Sequence, residues 1–378
     1  MRIAGIIMEC NPFHEGHDYI IKTARSLTGA SFCIVVLSGD YVQRGEPAVL
    51  DKESRTEKVL EAGADLVLEL PSCYSTGAAD YFARGAVTLL KKLGAVTDLV
   101  FGSESSDTDR LMETAQFLLR EDDTLSIAVK RLMSDGLTYP AARSLAAKEL
   151  GLNVPYPDTP NDILAVEYCK QLLTKDGSLS ASGIVPHAAS RIACPSASSL
   201  RKKMHDVRGD FSAPLYYALW RSTALQDDTC LLVFQGVSAD LSRRIIHNLP
   251  QFTDYASFCS LIKTRNLTYT AVSRALLHIL LDMRSEHLEE YIGAGTAGYA
   301  RVLGFRRESS ALLGILSDAS QIPLIVRPGS DIEKIRPPFG RMLLQDCRVS
   351  ELYDSIAGNK KTGRQVVPEL SKQPVILC

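Results

Sequence analysis

The first hundred residues alternate short apolar runs with amphipathic stretches, and no other feature limits the possible folds as much. Apolar runs of strand length read as strands covered on both faces. Stretches with helical spacing between them read as crossover helices, so the pattern is that of βαβ units feeding a parallel sheet. The spacing predicts strands at Arg2–Met8, Phe32–Leu37, Asp65–Leu70 and Asp98–Phe101, and helices over Asp18–Leu27, Ser54–Ala62 and Ala78–Leu93. Gly63 and Gly94 are suitable helix stops. The fold class is therefore α/β, a doubly wound parallel sheet. Such sheets bind ligands at the carboxyl ends of their strands, so the loops after each strand carry the chemistry.

Beyond Asp107 the pattern is helical to Leu150, turn-rich from Asn153 to Pro160, and helical again from Asn161 or Asp162. A fifth strand is expected at Leu179–Val185. After Arg208 the chain becomes mostly helical to about Tyr291, with a mixed, proline-containing tail. The 378 residues exceed one average domain, and the reading divides them into 1–208, a domain built on the doubly wound sheet, and 209–378, a mostly helical domain.

Composition closes off several classes. No apolar run is long enough to span a bilayer, and Glu9 interrupts the N-terminal run too early for a signal peptide, so a cytoplasmic protein with no membrane partner is expected. Nine cysteines without a Cys-x-x-Cys pair suggest neither a zinc ribbon nor a disulfide framework. The net charge of −2 gives no global attraction to nucleic acid, and DNA is not an expected partner. The second half is slightly basic, 19 Lys and Arg against 17 Asp and Glu, compared with 23 against 27 before it. The basic pairs Arg306–Arg307 and Lys360–Lys361 are its visible candidates for RNA contact, although such pairs are more often solvated surface.

The loop after the first strand, Asn11-Pro12-Phe13-His14-Glu15-Gly16-His17, puts two of the seven histidines at a strand-to-helix turn. A helix N-terminus offers free backbone N–H groups and a partial positive charge to an anion. Two imidazoles there can donate to phosphate oxygens and stabilise charge in a phosphoryl transition state. A zinc site is disfavoured, because no third and fourth ligands stand at a recognisable spacing. Ser196–Lys203 brings hydroxyls and cations to a predicted helix start, which makes Ser199 and Arg201 candidates for the β- and γ-phosphates.

The pairing of His14-Glu15-Gly16-His17 with Ser196-Ala197-Ser198-Ser199-Leu200-Arg201 resembles the HIGH-type nucleotidyltransferase superfamily. Within it, Ser38–Ala48 (containing Gln43-Arg44-Gly45-Glu46-Pro47), Phe101–Glu104 and Pro160–Leu164 make the chain similar to the bacterial tRNA(Met) cytidine acetate ligases. The resemblance implies a Rossmann-like ATP-binding domain followed by a helical domain that positions tRNA. It also implies a two-step reaction: ATP and acetate form acetyl-adenylate, and N4 of the wobble cytidine of elongator tRNA(Met) takes the acetyl group. By resemblance, ATP binding falls on Ile7, Met8, Glu9, Cys10, Asn11, Pro12, Phe13, His14, Glu15, Gly16, His17, Asp18, Tyr19 and Ile20, and on Gly102, Asn161 and Arg191. His14 and His17 are the expected catalytic donors, Arg44 would meet a carboxylate or phosphate, and Asp40 the acceptor amine or a metal. No protein metal ligands are assigned, and Mg²⁺ is expected to accompany ATP. The chain departs from the family pattern at Cys10, where Tyr is usual, at Glu15, where Asn is usual, and in the short stretch Ile192–Pro195. Two alternatives stand beside ligation: adenylyl or cytidylyl transfer to a small metabolite, and a non-catalytic RNA-binding relative.

Overall fold

The computed structural model describes residues 1–174, 177–192, 194–195, 197–203, 209–224, 227–265, 267–358 and 367–378. Its strands are β1 (Ile3–Met8), β2 (Phe32–Ser38), β3 (Tyr41–Val42), β4 (Glu46–Pro47), β5 (Leu66–Leu70), β6 (Asp98–Ser103), β7 (Val185–Ser190), β8 (Ala300–Arg306), β9 (Leu324–Ile325) and β10 (Val375–Leu377). The main sheet runs β10-β8-β5-β2-β1-β6-β7, with β9 on β8, while β3 and β4 form a separate hairpin. Strands β5, β2, β1, β6 and β7 are mutually parallel.

Central β1 is buried along its whole length because helices cover both faces. Ile3 and Ile7 join one apolar cluster, and Ala4, Ile6 and Met8 join the other, as the two-residue strand period requires. Helices α1 (Glu15–Thr28) and α2 (Lys52–Glu61) supply Ile20, Ile21, Val59 and Leu60 to the second cluster. After the short α3 (Ser72–Ser75), α4 (Ala79–Lys92) supplies Phe82, Val87 and Leu90 to the first. The chain moves outward from β1 through β2 to β5, then returns to the other side of β1 as β6. The crevice for a ligand therefore opens between β1 and β6.

Helices α5 (Thr108–Ser134), α6 (Tyr139–Glu149) and α7 (Pro160–Leu172) agree with the helical stretches expected there. The fifth strand does not lie at Leu179–Val185. Leu179 makes only an isolated bridge to Leu173, and β7 starts where that segment was expected to end. Its sequence, Val-Pro-His-Ala-Ala-Ser, is polar because it forms a sheet edge in register with Asp98–Ser103.

The expected boundary at residue 208 lies outside the described residues. Between Ser212 and Gly293 the described elements are all helices, and they and their connecting turns form their own cluster, which includes Leu215, Leu231, Phe258 and Leu276. The remainder of 209–378 is not purely helical, since β8, β9 and β10 complete the main sheet. Because β8 is antiparallel to β5, its last residue, Arg306, lies at the amino edge of the parallel strands, where its N–H donates to Asp65 O at 3.0 Å. Arg306–Arg307 is thus at the edge opposite the His14 loop, and Arg306 pairs with Glu308 at 2.5 Å. Lys360–Lys361 lies outside the described residues. No helix among the described residues is long and apolar enough to cross a membrane. All nine cysteines are free.

Candidate active site

The loop leaving β1 is fixed before it reaches the histidines. Cys10 is buried with φ +51°, the Asn11–Pro12 bond is cis, and Asn11 Oδ1 accepts from Val49 N at 2.8 Å. His14 then caps α1: its Nδ1 accepts the Gly16 N–H at 3.1 Å, and His17 Nδ1 accepts the His14 N–H at 3.2 Å. The two rings stack with centroids 3.9 Å apart. With each Nδ1 committed as an acceptor, a neutral ring carries its proton on Nε2, which is left as a donor. Burial first, and then neighbouring His14 and Arg191, push His17 down to about 3. Burial and Arg191 also lower His14. The pair is therefore uncharged at neutral pH and offers hydrogen bonds instead of cations. Gly16 is required by close packing, because a Cβ there would lie 2.9 Å from His14 Cε1 and 3.2 Å from Cys194 Sγ.

These rings line a cleft of about 380 Å³ in the β1–β6 crevice. Its wall includes Ile6 to Glu9 from β1 and the following loop, Tyr19 and Ile20 from α1, and Phe101 and Gly102 from β6. Asn161 and Tyr168 of α7, Arg191, Cys194, and Gln43 and Arg44 of the hairpin complete it. Glu104 organises one side: it accepts from Asn161 Nδ2 at 2.5 Å and Asp162 N at 3.2 Å, and pairs with Arg191 at 2.7 Å. Burial would raise its pKa, but the bonds from Asn161 and Arg191 hold it below the usual carboxylate range. Glu9 is pushed up by burial, opposed by the Gln43 N–H, which it accepts at 2.6 Å, and by Arg44, Arg55 and Arg201.

Behind the cleft lies a group of buried charges. Arg55, fully buried, donates from Nε to Leu50 O (3.0 Å), from Nη1 to Glu9 O (2.8 Å) and Ser38 O (2.9 Å), and from Nη2 to Gly39 O (2.5 Å). One guanidinium thus ties the carboxyl ends of β1 and β2 together. Lys52 Nζ lies 2.9 Å from Glu69 and 2.5 Å from Glu369, and donates to Ser350 Oγ at 2.8 Å. Arg301 reaches the same two glutamates at 2.9 and 2.6 Å. Among the described residues, no group of three or more His, Cys, Asp or Glu side chains is placed to hold a metal ion.

The family profile for HIGH Nucleotidyl Transferase matches residues 1–213 and 196–366. A tRNA(Met) cytidine acetate ligase from Acetivibrio thermocellus is 33% identical, the match covering 93% of this chain and 94% of that one. Its counterpart from Halothermothrix orenii is also 33% identical, over 97% and 98%. The chain belongs to the tRNA(Met) cytidine acetate ligase family. The crystal structure of Thermotoga maritima TmcAL bound with alpha-thio ATP superposes on it with a TM-score of 0.86, at 27% identity and covering 100% of both chains.

Set against the residues expected to bind ATP in this family, the cleft gathers Ile7, Met8, Glu9, His14, Gly16, His17, Tyr19, Ile20, Gly102, Asn161 and Arg191. Cys10, Asn11, Pro12, Phe13, Glu15 and Asp18 do not line it: the first three are buried in the loop, and the exposed Glu15 opens α1. The departures at Cys10 and Glu15 therefore lie off the cleft wall, whereas Cys194 of the short stretch is on it. Helix α8 (Ala197–Lys203) meets the cleft through Ala197. Arg201 donates to Asn11 O at 2.6 Å and lies 3.7 Å from Glu46, so it joins the histidine loop to the hairpin; neither it nor Ser199 lines the cleft. Ser196 lies outside the described residues.

Arg44 lines the cleft but Asp40 does not. The Asp40 carboxylate is buried, accepts Lys52 N at 2.9 Å and stands 3.7 Å from Lys52 Nζ, so it faces the charge cluster behind the site. Sequence reasoning missed Arg55, Lys52, Phe82 and Tyr168.

Proposed function

We propose that the chain is an ATP-dependent ligase that activates acetate as acetyl-adenylate and transfers the acetyl group to N4 of the wobble cytidine of elongator tRNA(Met), working in the cytoplasm. An acetate oxygen attacks the α-phosphorus of ATP and pyrophosphate leaves. The cytidine amine then attacks the acetyl carbonyl, AMP leaves, and the amine loses one proton. The observation that carries this reading is the locked pair of neutral Nε2–H donors at the N-terminus of α1, beside a cleft in the sheet crevice. Preorganised donors of this kind stabilise charge developing on phosphate oxygens without needing to be cations. Arg191, held by Glu104, adds positive charge on the same side.

We assign Arg44 to the acetate carboxylate or a phosphate, and Asp40 to holding Lys52 and the hairpin, so that it acts from behind the site. Ser199 and Arg201 are assigned to the triphosphate end of the site, which requires Arg201 to exchange its present contacts on binding. Magnesium, when present, would ride on the triphosphate oxygens with few protein ligands, as this ion commonly does. Residues 1–208 would carry activation, and the helical stretch after 209 would position the tRNA. The test is acetate-dependent ATP–pyrophosphate exchange together with mass-spectrometric detection of N4-acetylcytidine in tRNA(Met) incubated with ATP and acetate. Exchange that ignores acetate, or tRNA that stays unmodified while exchange proceeds, would sink it.

A further inference from the structure

A second cavity, of about 310 Å³, opens where α4 begins, between helices Tyr269–Leu280 and Ser285–Gly293. Tyr81, Gln235, Ala271, Arg274 and Glu289 are on its wall. It shares no lining residue with the nucleotide cleft, yet the two are adjacent. Tyr81 faces one and its neighbour Phe82 the other. The hairpin tip that carries Arg44 also rests on Arg274. Gly45 has φ +78°, and a Cβ on it would lie 2.3 Å from Arg274 N. Tyr255 and Ser273 hydroxyls both donate to Gly45 O, at 2.8 and 2.9 Å. Arg44 and Arg274 thus flank a clamped contact between the two cavities.

Arg274 is the unusual group. Among the described residues its guanidinium makes one long hydrogen bond, from Nε to Thr270 O at 3.3 Å, and it has no ion pair. By contrast, Arg55 donates to four carbonyls and Arg301 pairs with two glutamates. Burial pulls Arg274 below the usual arginine range, against only the longer-range pull of Asp80 and Glu9. A half-buried cation without a carboxylate partner is costly, and its rigid fork of donors matches a phosphate. Glu289 is the carboxylate on the cavity wall, so an anion is favoured there only against the guanidinium. The volume is at the low end of the range for small-molecule sites, roughly 300–1,000 Å³, room for one splayed nucleotide and not for a duplex.

We propose that this second cavity receives the RNA substrate beside the reacting cytidine, with Arg274 donating to a backbone phosphate and Tyr81 offering its ring to a base. The inference rests on the ligase reading above. Recognition of this kind suits single-stranded loop RNA, whose phosphates and unstacked bases are both exposed.

The experiment uses the full chain, an unmodified tRNA(Met) transcript, and two variants: Arg274→Met, which keeps most of the stem, and Ala271→Trp, which fills the cavity and leaves Arg274 in place. Three quantities are compared with wild type: acetate-dependent pyrophosphate exchange without tRNA, tRNA affinity at several salt concentrations, and KM for tRNA in acetylation. Exchange should stay near wild type in both variants. For Arg274→Met, KM for tRNA should rise about tenfold or more, the effect of one lost charge-assisted contact. Its plot of log Kd against log salt should be shallower by about 0.7, one single-strand phosphate. Ala271→Trp should lose acetylation. Wild-type tRNA affinity and salt slope in Arg274→Met would overturn the proposal, as would equal loss of exchange and transfer, which would move Arg274 to the nucleotide site. Inorganic phosphate that binds wild type but not Arg274→Met, with tRNA affinity equal in both, would also overturn it by identifying a free anion as the ligand. Wild type that binds tRNA through Arg274 but acetylates nothing leaves this site standing and removes the ligase reading; wild type that binds no tRNA removes both.

Discussion

Replacing Arg55 with Met should damage the protein more than any single change on the cleft wall. The side chain is fully buried and donates to four carbonyls, those of Glu9, Ser38, Gly39 and Leu50. Methionine preserves most of the apolar stem but leaves all four oxygens without their donor. A buried polar group left unsatisfied costs about 1–3 kcal/mol, and the nearby cleft can admit water to some of the four, so a net loss of about 4–6 kcal/mol is expected. Domains are commonly stable by only about 5–15 kcal/mol, which puts Arg55→Met near the limit of folding. Arg55→Lys keeps a charge that can reach only part of the fork's acceptors, and should lose about 2 kcal/mol while remaining folded. Urea unfolding followed by circular dichroism measures both. In the folded Lys variant, pyrophosphate exchange should still fall, because the Glu9 and Ser38–Gly39 carbonyls lead directly into the histidine loop and the hairpin. Arg55→Met unfolding within about 1 kcal/mol of wild type would refute the reasoning, since the four bonds would then contribute almost nothing net.

Other changes probe the site and its support. His17→Ala should lower exchange by roughly 10² or more while the protein stays folded, the loss expected for one preorganised donor; near-normal exchange would remove His17 from catalysis. Because His17 sits at about 3, protonation of its ring should impose no acid limb on exchange between pH 6 and 8, so a limb near the ordinary histidine value that vanishes in His17→Gln would contradict the neutral-donor assignment. The same depression means that the folded state resists a proton the unfolded chain accepts. Stability should be complete above about pH 6.5 and fall as pH drops toward 3, by up to about 1.4 kcal/mol per unit, and urea midpoints at pH 7 and 5 should converge in His17→Asn. Lys52→Met leaves buried Asp40 without its ion-pair partner and Arg301 alone to bridge Glu69 and Glu369, and should cost about 3–5 kcal/mol in urea unfolding. Gly45→Ala must relieve both a positive φ and a 2.3 Å approach to Arg274 N, so it should displace the hairpin that carries Arg44 and lower exchange and acetylation together, and wild-type exchange in a folded variant would remove Arg44 from activation.

What the sequence made legible is what short-range periodicity controls. β1, β2, β5 and β6 lie within two residues of their expected limits, because strands covered on both faces are continuous apolar runs. The histidine loop was legible because a strand end and a helix start fixed its place. β7 was shifted because an edge strand made of Val, Pro, His, Ala, Ala and Ser has no apolar signature. The return of β8 and β10 to the sheet was hidden for a different reason: no local pattern says which distant strand a segment will pair with. Burial of charge follows the same logic. On α2, Lys52 and Arg55 are three residues apart, a spacing that ordinarily describes a solvated helix face, and only partners supplied from elsewhere make them interior. One partner of Lys52, Ser350, lies 298 positions later in the chain. Asp40 was therefore assigned to chemistry from its place in a loop, when the group that decides its role is Lys52, visible only after β5 and the C-terminal segment have closed around it. The donors proposed for the chemistry, His14 and His17, could be read from local turns; the scaffold behind them is set by long-range ion pairing, and mutational tests of that scaffold should weaken folding and exchange together.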